Sequence, residues 1–292
     1  PGQITTVAGG ATFAGDGSAA SSARLKSPLG VTVDRFGNVF IADWMNHRIR
    51  KVNQVTGIIT TVAGTGQPAF SGDGGPAPAA SLDETEGVAL DGSGNLLIAD
   101  SHNYRIRKVS VDTGAISTIA GGGDPPDRLG DNGPATAAVV EEVGGIAVDQ
   151  ADNIYIADTG KHRVRKIDAK TKIISTVAGN GDAGFAGDNG LATQASLNFP
   201  ERIALDSSGN LFIADTANYR VRRVDAATRI ISTVAGNGTR GFSGDKGPAT
   251  AAQIDPSGVA VDLNGNIFIA DCDNERIRKV DAATKIISTV VG

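Results

Sequence analysis

Short apolar runs separated by polar breaks recur along the whole chain, and the pattern repeats. Six copies of Thr-[Val/Ile]-[Ala/Val]-Gly begin at Thr6, Thr61, Thr118, Thr176, Thr233 and Thr289, spaced 55 to 58 residues apart. Between them lie five copies of Ile-Ala-Asp, ending at Asp43, Asp100, Asp158, Asp215 and Asp271. Each unit predicts four strands. The first is short and apolar, as in Val31 to Val33 or Val259 to Val261, and an Asp-x-x-Gly-Asn turn follows it in four copies. Gly and Asn there supply the positive φ of a tight hairpin. The third copy has Asp152 in place of Gly, and Asp is among the residues that tolerate that conformation. The second strand, for example Leu211-Phe212-Ile213-Ala214, is apolar at every position, which predicts cover on both faces. The third, Arg-Ile/Val-Arg-Lys/Arg-Val/Ile, is mostly charged and is expected to lie further out. The fourth is the Ile-Ile-Ser-Thr-Val-Ala-Gly run.

A long period filled with hairpin-linked strands means one supersecondary unit stacked on itself. Four antiparallel strands graded from apolar to charged describe the blade of a β-propeller. The expectation is an all-β single domain over 1–292, with blades at roughly 28–64, 85–121, 143–179, 200–236 and 256–292. The chain opens and closes on fourth-strand sequence, so residues 3–9 are expected to act as a closing strand that shields the sheet edge. Five blades is the reading taken; a six-bladed or incomplete ring excerpted from a longer parent is the alternative, and the start at Pro1 rather than Met is compatible with trimming.

The run Gly-Val-Ala-Val-Asp…Gly-Asn-Ile-Phe-Ile-Ala-Asp…Asn-x-Arg-Ile-Arg-Lys-Val, Gly258 to Val280, closely resembles the NHL repeat, and all five units share it. The Gly-Phe-Ser-Gly-Asp inserts resemble those of the long-loop bacterial type. The resemblance implies a propeller, usually six-bladed, often secreted or periplasmic, and most often a binding or scaffolding module. It also implies an enzymatic minority, such as peptide-amidating lyases with a metal in the central channel.

Charge narrows the partners. A net charge of −5 offers no global footprint for nucleic acid, which is not expected as a partner. The basic third strand (Arg48, Arg50, Lys51 and counterparts) reads as a solvated outer face with cross-strand pairs. A single cysteine, Cys272, excludes an internal disulfide framework, and no apolar run is long enough to span a membrane.

The repeated polar residues read as structural. Phe13, Phe70, Phe185 and Phe242 beside Gly-Asp look like plugs that pin each long insert to its neighbour, with Asp capping a turn. Calcium at Gly-Asp-Gly is the competing reading, though one Asp per loop supplies few of the six or more oxygens calcium takes. In the Asp-x-x-Asn-x-Arg turns, Asp43 with Arg48, Asp100 with Arg105, Asp158 with Arg163, Asp215 with Arg220 and Asp271 with Arg276 are expected as cross-strand ion pairs. The three histidines, His47, His102 and His162, fall in these turns, and zinc held by all three is a further reading. Against it, His47 and His162 align with Tyr104 and Tyr219, which suggests a packing slot.

The positions where the copies differ carry the functional expectation. Just before each first strand, expected to line a channel, stand Lys26, Glu84, Glu86, Glu142, Phe199, Glu201 and Arg202, with Trp44 in an adjacent turn. Together they predict an acidic, asymmetric channel mouth. Crowded carboxylates raise one another's pKa and suit an acid–base or cation site, or else form a solvated rim. No Ser-His-Asp signature, Cys–His arrangement or phosphate loop is present. The first expectation is a noncatalytic binding or scaffolding propeller for a protein, peptide or glycan, with no resident cofactor. The alternatives are a lyase or hydrolase with a metal (calcium or zinc) or carboxylate site, and a purely structural segment of a larger secreted protein.

Overall fold

A computed structural model describes residues 5–8 and 16–292. The fold is all-β, with five four-stranded antiparallel sheets that are the blades of a β-propeller. Blade one is β1 (Pro28–Val33), β2 (Val39–Asp43), β3 (Arg48–Val52) and β4 (Ile59–Ala63). Blade two is β5 (Thr85–Leu90), β6 (Leu96–Asp100), β7 (Arg105–Val109) and β8 (Ile116–Gly121). Blade three is β9 (Val143–Val148), β10 (Ile154–Asp158), β11 (Arg163–Ile167) and β12 (Ile174–Ala178). Blade four is β13 (Pro200–Leu205), β14 (Leu211–Asp215), β15 (Arg220–Val224) and β16 (Ile231–Ala235). Blade five is β17 (Pro256–Val261), β18 (Ile267–Asp271), β19 (Arg276–Val280) and β20 (Ile287–Val291). The chain falls into two compact units, Pro1–Gly123 with blades one and two, and Asp124–Gly292 with the other three.

The hairpin between first and second strands forms as its residues dictate. Asp34 accepts the amides of Phe36 and Asn38, Gly37 takes φ 82°, and the Asn38 carboxamide reaches on to Gln54 N–H. Asp152 takes φ 63° in the third copy. Second strands are buried on both faces in blades two and four, as their unbroken apolar sequence requires, with Leu97, Ile98 and Ala99 fully buried, while in blade five Phe268 and Ala270 leave one face of β18 half-buried. In the first unit Phe40 and Ala42 of blade one pack with Val88, Leu96 and Ile98 of blade two. In the second, Tyr155 and Ala157 meet Ile203 and Ile213, and Phe212 meets Ile267 and Ile269. Within each unit, first strands of neighbouring blades touch backbone to backbone: a Cβ on Gly30 would collide with the carbonyl of Glu86, and one on Gly144 with that of Glu201.

The expected closing strand at 3–9 lies largely outside the described residues, and 5–8 are not in a strand. Phe13 also falls outside them. No helix among the described residues is long and apolar enough to cross a membrane.

Candidate functional site

The third strands are not solvated outer faces. In each blade the middle arginine (Arg50, Arg107, Arg165, Arg222, Arg278) is at most 1% exposed. It is held between two carboxylates. On one side stands the fully buried Asp of Ile-Ala-Asp, at 3.4 Å in Asp43–Arg50 and 3.0 to 3.3 Å in Asp100–Arg107, Asp158–Arg165, Asp215–Arg222 and Asp271–Arg278. On the other stands the Asp of the long insert: Asp16 at 3.1 Å, and Asp73, Asp131, Asp188 and Asp245 at 2.7 Å. This corrects the expected pairing. Asp43 does sit opposite Arg48 in register, as Asp100 does Arg105, Asp158 Arg163, Asp215 Arg220 and Asp271 Arg276. The guanidinium that meets each Asp nevertheless comes from two residues further on, because side chains at i and i+2 share a face and the diagonal is within an arginine's reach. Arg48 instead donates to the carbonyls of Asn46 and Thr65.

The inserts are tied to the same arginines. Phe70 stacks under Arg105 and Arg107, Phe185 under Arg220 and Arg222, and Phe242 under Arg276 and Arg278, at 3.7 to 4.8 Å from the ring centroids. The insert carboxylates also take the hydroxyl of the Thr in the fourth strand: Thr61 to Asp16, Thr176 to Asp131 and Thr233 to Asp188. Each insert carboxylate is thus engaged by an arginine, and these loops act as braces. The sequence carried the signal for this, since Asp, Arg and Thr repeat with one common period, but their partnership needed three dimensions.

The buried Asp of each blade performs a second task. Its Oδ1 accepts the backbone N–H at the head of a first strand: Lys26 (2.7 Å), Asp83 (2.8 Å), Glu141 (2.7 Å), Asn198 (2.7 Å) and Asp255 (2.6 Å). Burial, working against the Glu141 amide and Arg165, pushes the Asp158 carboxyl up to about 6. With that turn fixed, the next residue in four blades adopts the left-handed region: Ser27, Glu84, Glu142 and Phe199, at φ 46° to 50°. None is glycine, so each stores strain on the order of 1–3 kcal/mol. The structure thus sets several of the sequence-predicted site residues on one repeated backbone feature.

In the first unit, Lys26 is exposed, Trp44 opens a one-turn helix, and Glu84 and Glu86 are half-buried. His47 caps that helix at φ 50°. Its Nδ1 accepts the Glu84 N–H at 3.1 Å and lies 3.3 Å from Asp83 Oδ1. His102 Nε2 is 3.1 Å from Glu84 Oε2, and its backbone N–H reaches the Asp83 carbonyl at 3.3 Å. One ligand atom from each of Asp83, Glu84 and His102 lies within 4.8 Å of the others, a set that can hold a metal ion. Histidine and carboxylate therefore meet within one unit, and the acid that completes the set, Asp83, opens the divergent acidic run Asp83 to Glu86 that the sequence places at the channel mouth.

In the second unit, Glu142 and Phe199 are exposed, and Glu201 and Arg202 are half-buried. Glu141 pairs with Lys161 at 2.7 Å. His162 occupies the slot of His47: its Nδ1 accepts the Phe199 N–H at 3.2 Å, and the two rings meet edge to face at 5.0 Å. Burial, helped by Arg163, lowers the His162 pKa and favours the neutral ring this bond needs. Thr159 Oγ1 donates to the Pro200 carbonyl at 2.7 Å, locking blade three to blade four.

The NHL repeat family matches residues 142–167, 197–224 and 254–280, and the teneurin NHL domain family matches residues 7–71. The chain is 28% identical over 270 residues to the protein SUPPRESSOR OF QUENCHING 1, chloroplastic, of Arabidopsis thaliana, covering 89% of this chain and 25% of that one. It is 27% identical over 316 residues to NHL repeat-containing protein 2 of Gallus gallus, covering 79% and 43%. The chain therefore spans a quarter to less than half of these relatives. Among solved structures, the nidogen/laminin complex matches with a TM-score of 0.62 at 17% identity, over 91% of this chain and 81% of that one.

Proposed function

The chain belongs to the NHL-repeat β-propeller family, and within it we propose that it is a noncatalytic binding module for a protein or peptide partner. One observation carries this reading. The same left-handed backbone feature, fixed by the same buried Asp, presents Ser27, Glu84, Glu142 and Phe199 in four blades. A repeated scaffold that holds different side chains in equivalent positions is how a repeat protein separates recognition from stability. The repeated ionic groups, by contrast, are occupied in holding the blades. Glu84 in the first unit and Glu142 in the second each set a carboxylate on this backbone feature, so the segment each recognises carries Lys or Arg.

The test is binding to an array of extended peptides of graded charge. The wild type is expected to select basic peptides, with affinity that falls as salt rises. Glu84→Gln with Glu86→Gln in the first unit, and Glu142→Gln in the second, are then measured separately and together. Loss of binding at unchanged melting temperature supports the reading. Retention of binding in the combined variant, or selection of glycans over peptides on a parallel array, overturns it.

A further inference from the structure

We propose that Asp83, Glu84 and His102 form a binding site for a divalent first-row transition ion of the zinc class. Two carboxylates and an imidazole in one small cluster are a mixed donor set. Calcium and magnesium take oxygen ligands in sixes or more, whereas imidazole nitrogen suits zinc and its neighbours. Protein ligands about 2 Å from a tetrahedral zinc stand about 3.3 Å from one another. Glu84 Oε2 and His102 Nε2 are 3.1 Å apart already.

The three ligands are positioned by bonds that do not use their donor atoms. Asp83 N–H is held by buried Asp100, Glu84 N–H by His47 Nδ1, and His102 N–H by the Asp83 carbonyl. The cluster is therefore arranged by the backbone, with His47 as a positioning residue whose Nδ1 also stands 3.3 Å from Asp83 Oδ1.

A second observation is independent of the ligand atoms. Thr85, directly after Glu84, is fully buried, and its hydroxyl has no protein partner; neither has the buried indole nitrogen of Trp44, whose helix packs against β5. The side chains that take the place of Trp44 in blades three and four are satisfied, Thr159 by the Pro200 carbonyl and Thr216 by that of Pro256, whereas the residues in the place of Thr85 (Val143, Pro200 and Pro256) carry no hydroxyl at all. Buried polar groups in native proteins are met by water or ions when protein does not meet them. Thr85 adjoins Glu84 in the chain and the Trp44 turn packs on the same strand, so both orphaned polar atoms belong to segments in contact with β5. Three protein ligands on half-buried and exposed side chains leave a coordination position open to solvent, as in zinc sites that bind an exogenous ligand.

The proposal shares Glu84 with the partner-binding reading, but its test stands apart, since metal uptake is measured with no partner present. The metal-free chain is titrated with Zn²⁺ in competition with a chromophoric chelator, and with Co²⁺ followed by its visible absorption. One saturable equivalent is expected. His102→Ala is expected to weaken it at least about tenfold, with Glu84→Gln close behind. His162→Ala, in the other unit, is expected to bind as the wild type does. Circular dichroism confirms that the variants are folded; His102 is exposed, so its truncation leaves no cavity. Absence of saturable binding, or a His102→Ala chain that binds as tightly as the wild type, overturns the proposal.

Discussion

A single buried aspartate shows how tightly these blades are specified. Asp158 has no exposure, faces Arg165 at 3.1 Å and accepts the Glu141 amide at 2.7 Å. Three blade elements converge on it: its own strand, the strand that carries Arg165 and the head of a first strand. Truncation to Ala leaves Arg165 buried beside Asp131 alone, and a loss of about 3–5 kcal/mol is expected in denaturant unfolding. The charge itself is a separate matter. Burial lifts the carboxyl from 3.8 to about 6, so the native state binds a proton that the unfolded chain has released between those values. This contribution is complete below pH 3.8 and is lost as pH rises through about 6. Asp158→Asn keeps the shape and cannot titrate. Relative to that variant, the wild type is expected to lose about 2 kcal/mol between pH 4 and pH 6.5. A flat difference across that window would show that Arg165 keeps the carboxylate ionised throughout.

At the scale of the element, the long insert is a brace whose parts are spread over two other segments. In the fourth blade Asp188 meets Arg222 of β15 at 2.7 Å and accepts the Thr233 hydroxyl of β16 at 2.7 Å, while Phe185 lies under Arg220 and Arg222. Asp188→Ala should free this loop: limited proteolysis within 180–198 is expected to accelerate, together with a lowered melting temperature. Unchanged cleavage would mean that the Phe185 stack alone holds the insert. These elements also show what the sequence could disclose. The strands, hairpins and left-handed Asp152 were legible because they depend on local pattern and on residues a few positions apart. That Phe and Asp pin the insert was legible too, from their repetition. Their target was not, because Asp188 and Thr233 stand 45 residues apart and no local rule joins them. The arginine was misplaced for a related reason: register fixes which residues face each other, but a long side chain chooses the diagonal partner. Asp83 and His102 came together by the same non-local route, through an amide held by Asp100 and a backbone bond at the turn.

Across the whole molecule, the aspartates whose pKa is shifted fall into two groups with opposite responses to acid. In Asp168, Asp225 and Asp281 the bonds from a following Thr hold the pKa down. In Asp73 and Asp245 burial opposes ionisation, but Thr118 and Arg107, or Thr289 and Arg278, outweigh it and the pKa again falls. Asp34, Asp91 and Asp262 are lowered alongside them, with Asn38, Asn95 and Asn266 as donors. Stability from these groups is present above pH 3.8 and disappears as pH falls through their depressed values. Asp100, Asp158 and Asp215 are raised by burial, and their contribution is lost in the opposite direction, as pH climbs; for Asp158 and Asp215, raised to about 6, the loss runs from 3.8 through 6. The two sets leave one favourable window between them. Thermal unfolding followed from pH 3 to pH 8 should give its highest midpoint near pH 4 to 5, below the range of about 5–8 where most proteins are most stable. The midpoint should fall steeply on the acid side, where the lowered carboxylates protonate together, and gently towards neutrality, where the few raised ones ionise. A midpoint that climbs steadily to pH 7 would show that Arg107, Arg165 and Arg222 hold Asp100, Asp158 and Asp215 charged, and that these three blades keep full ion pairs across that range.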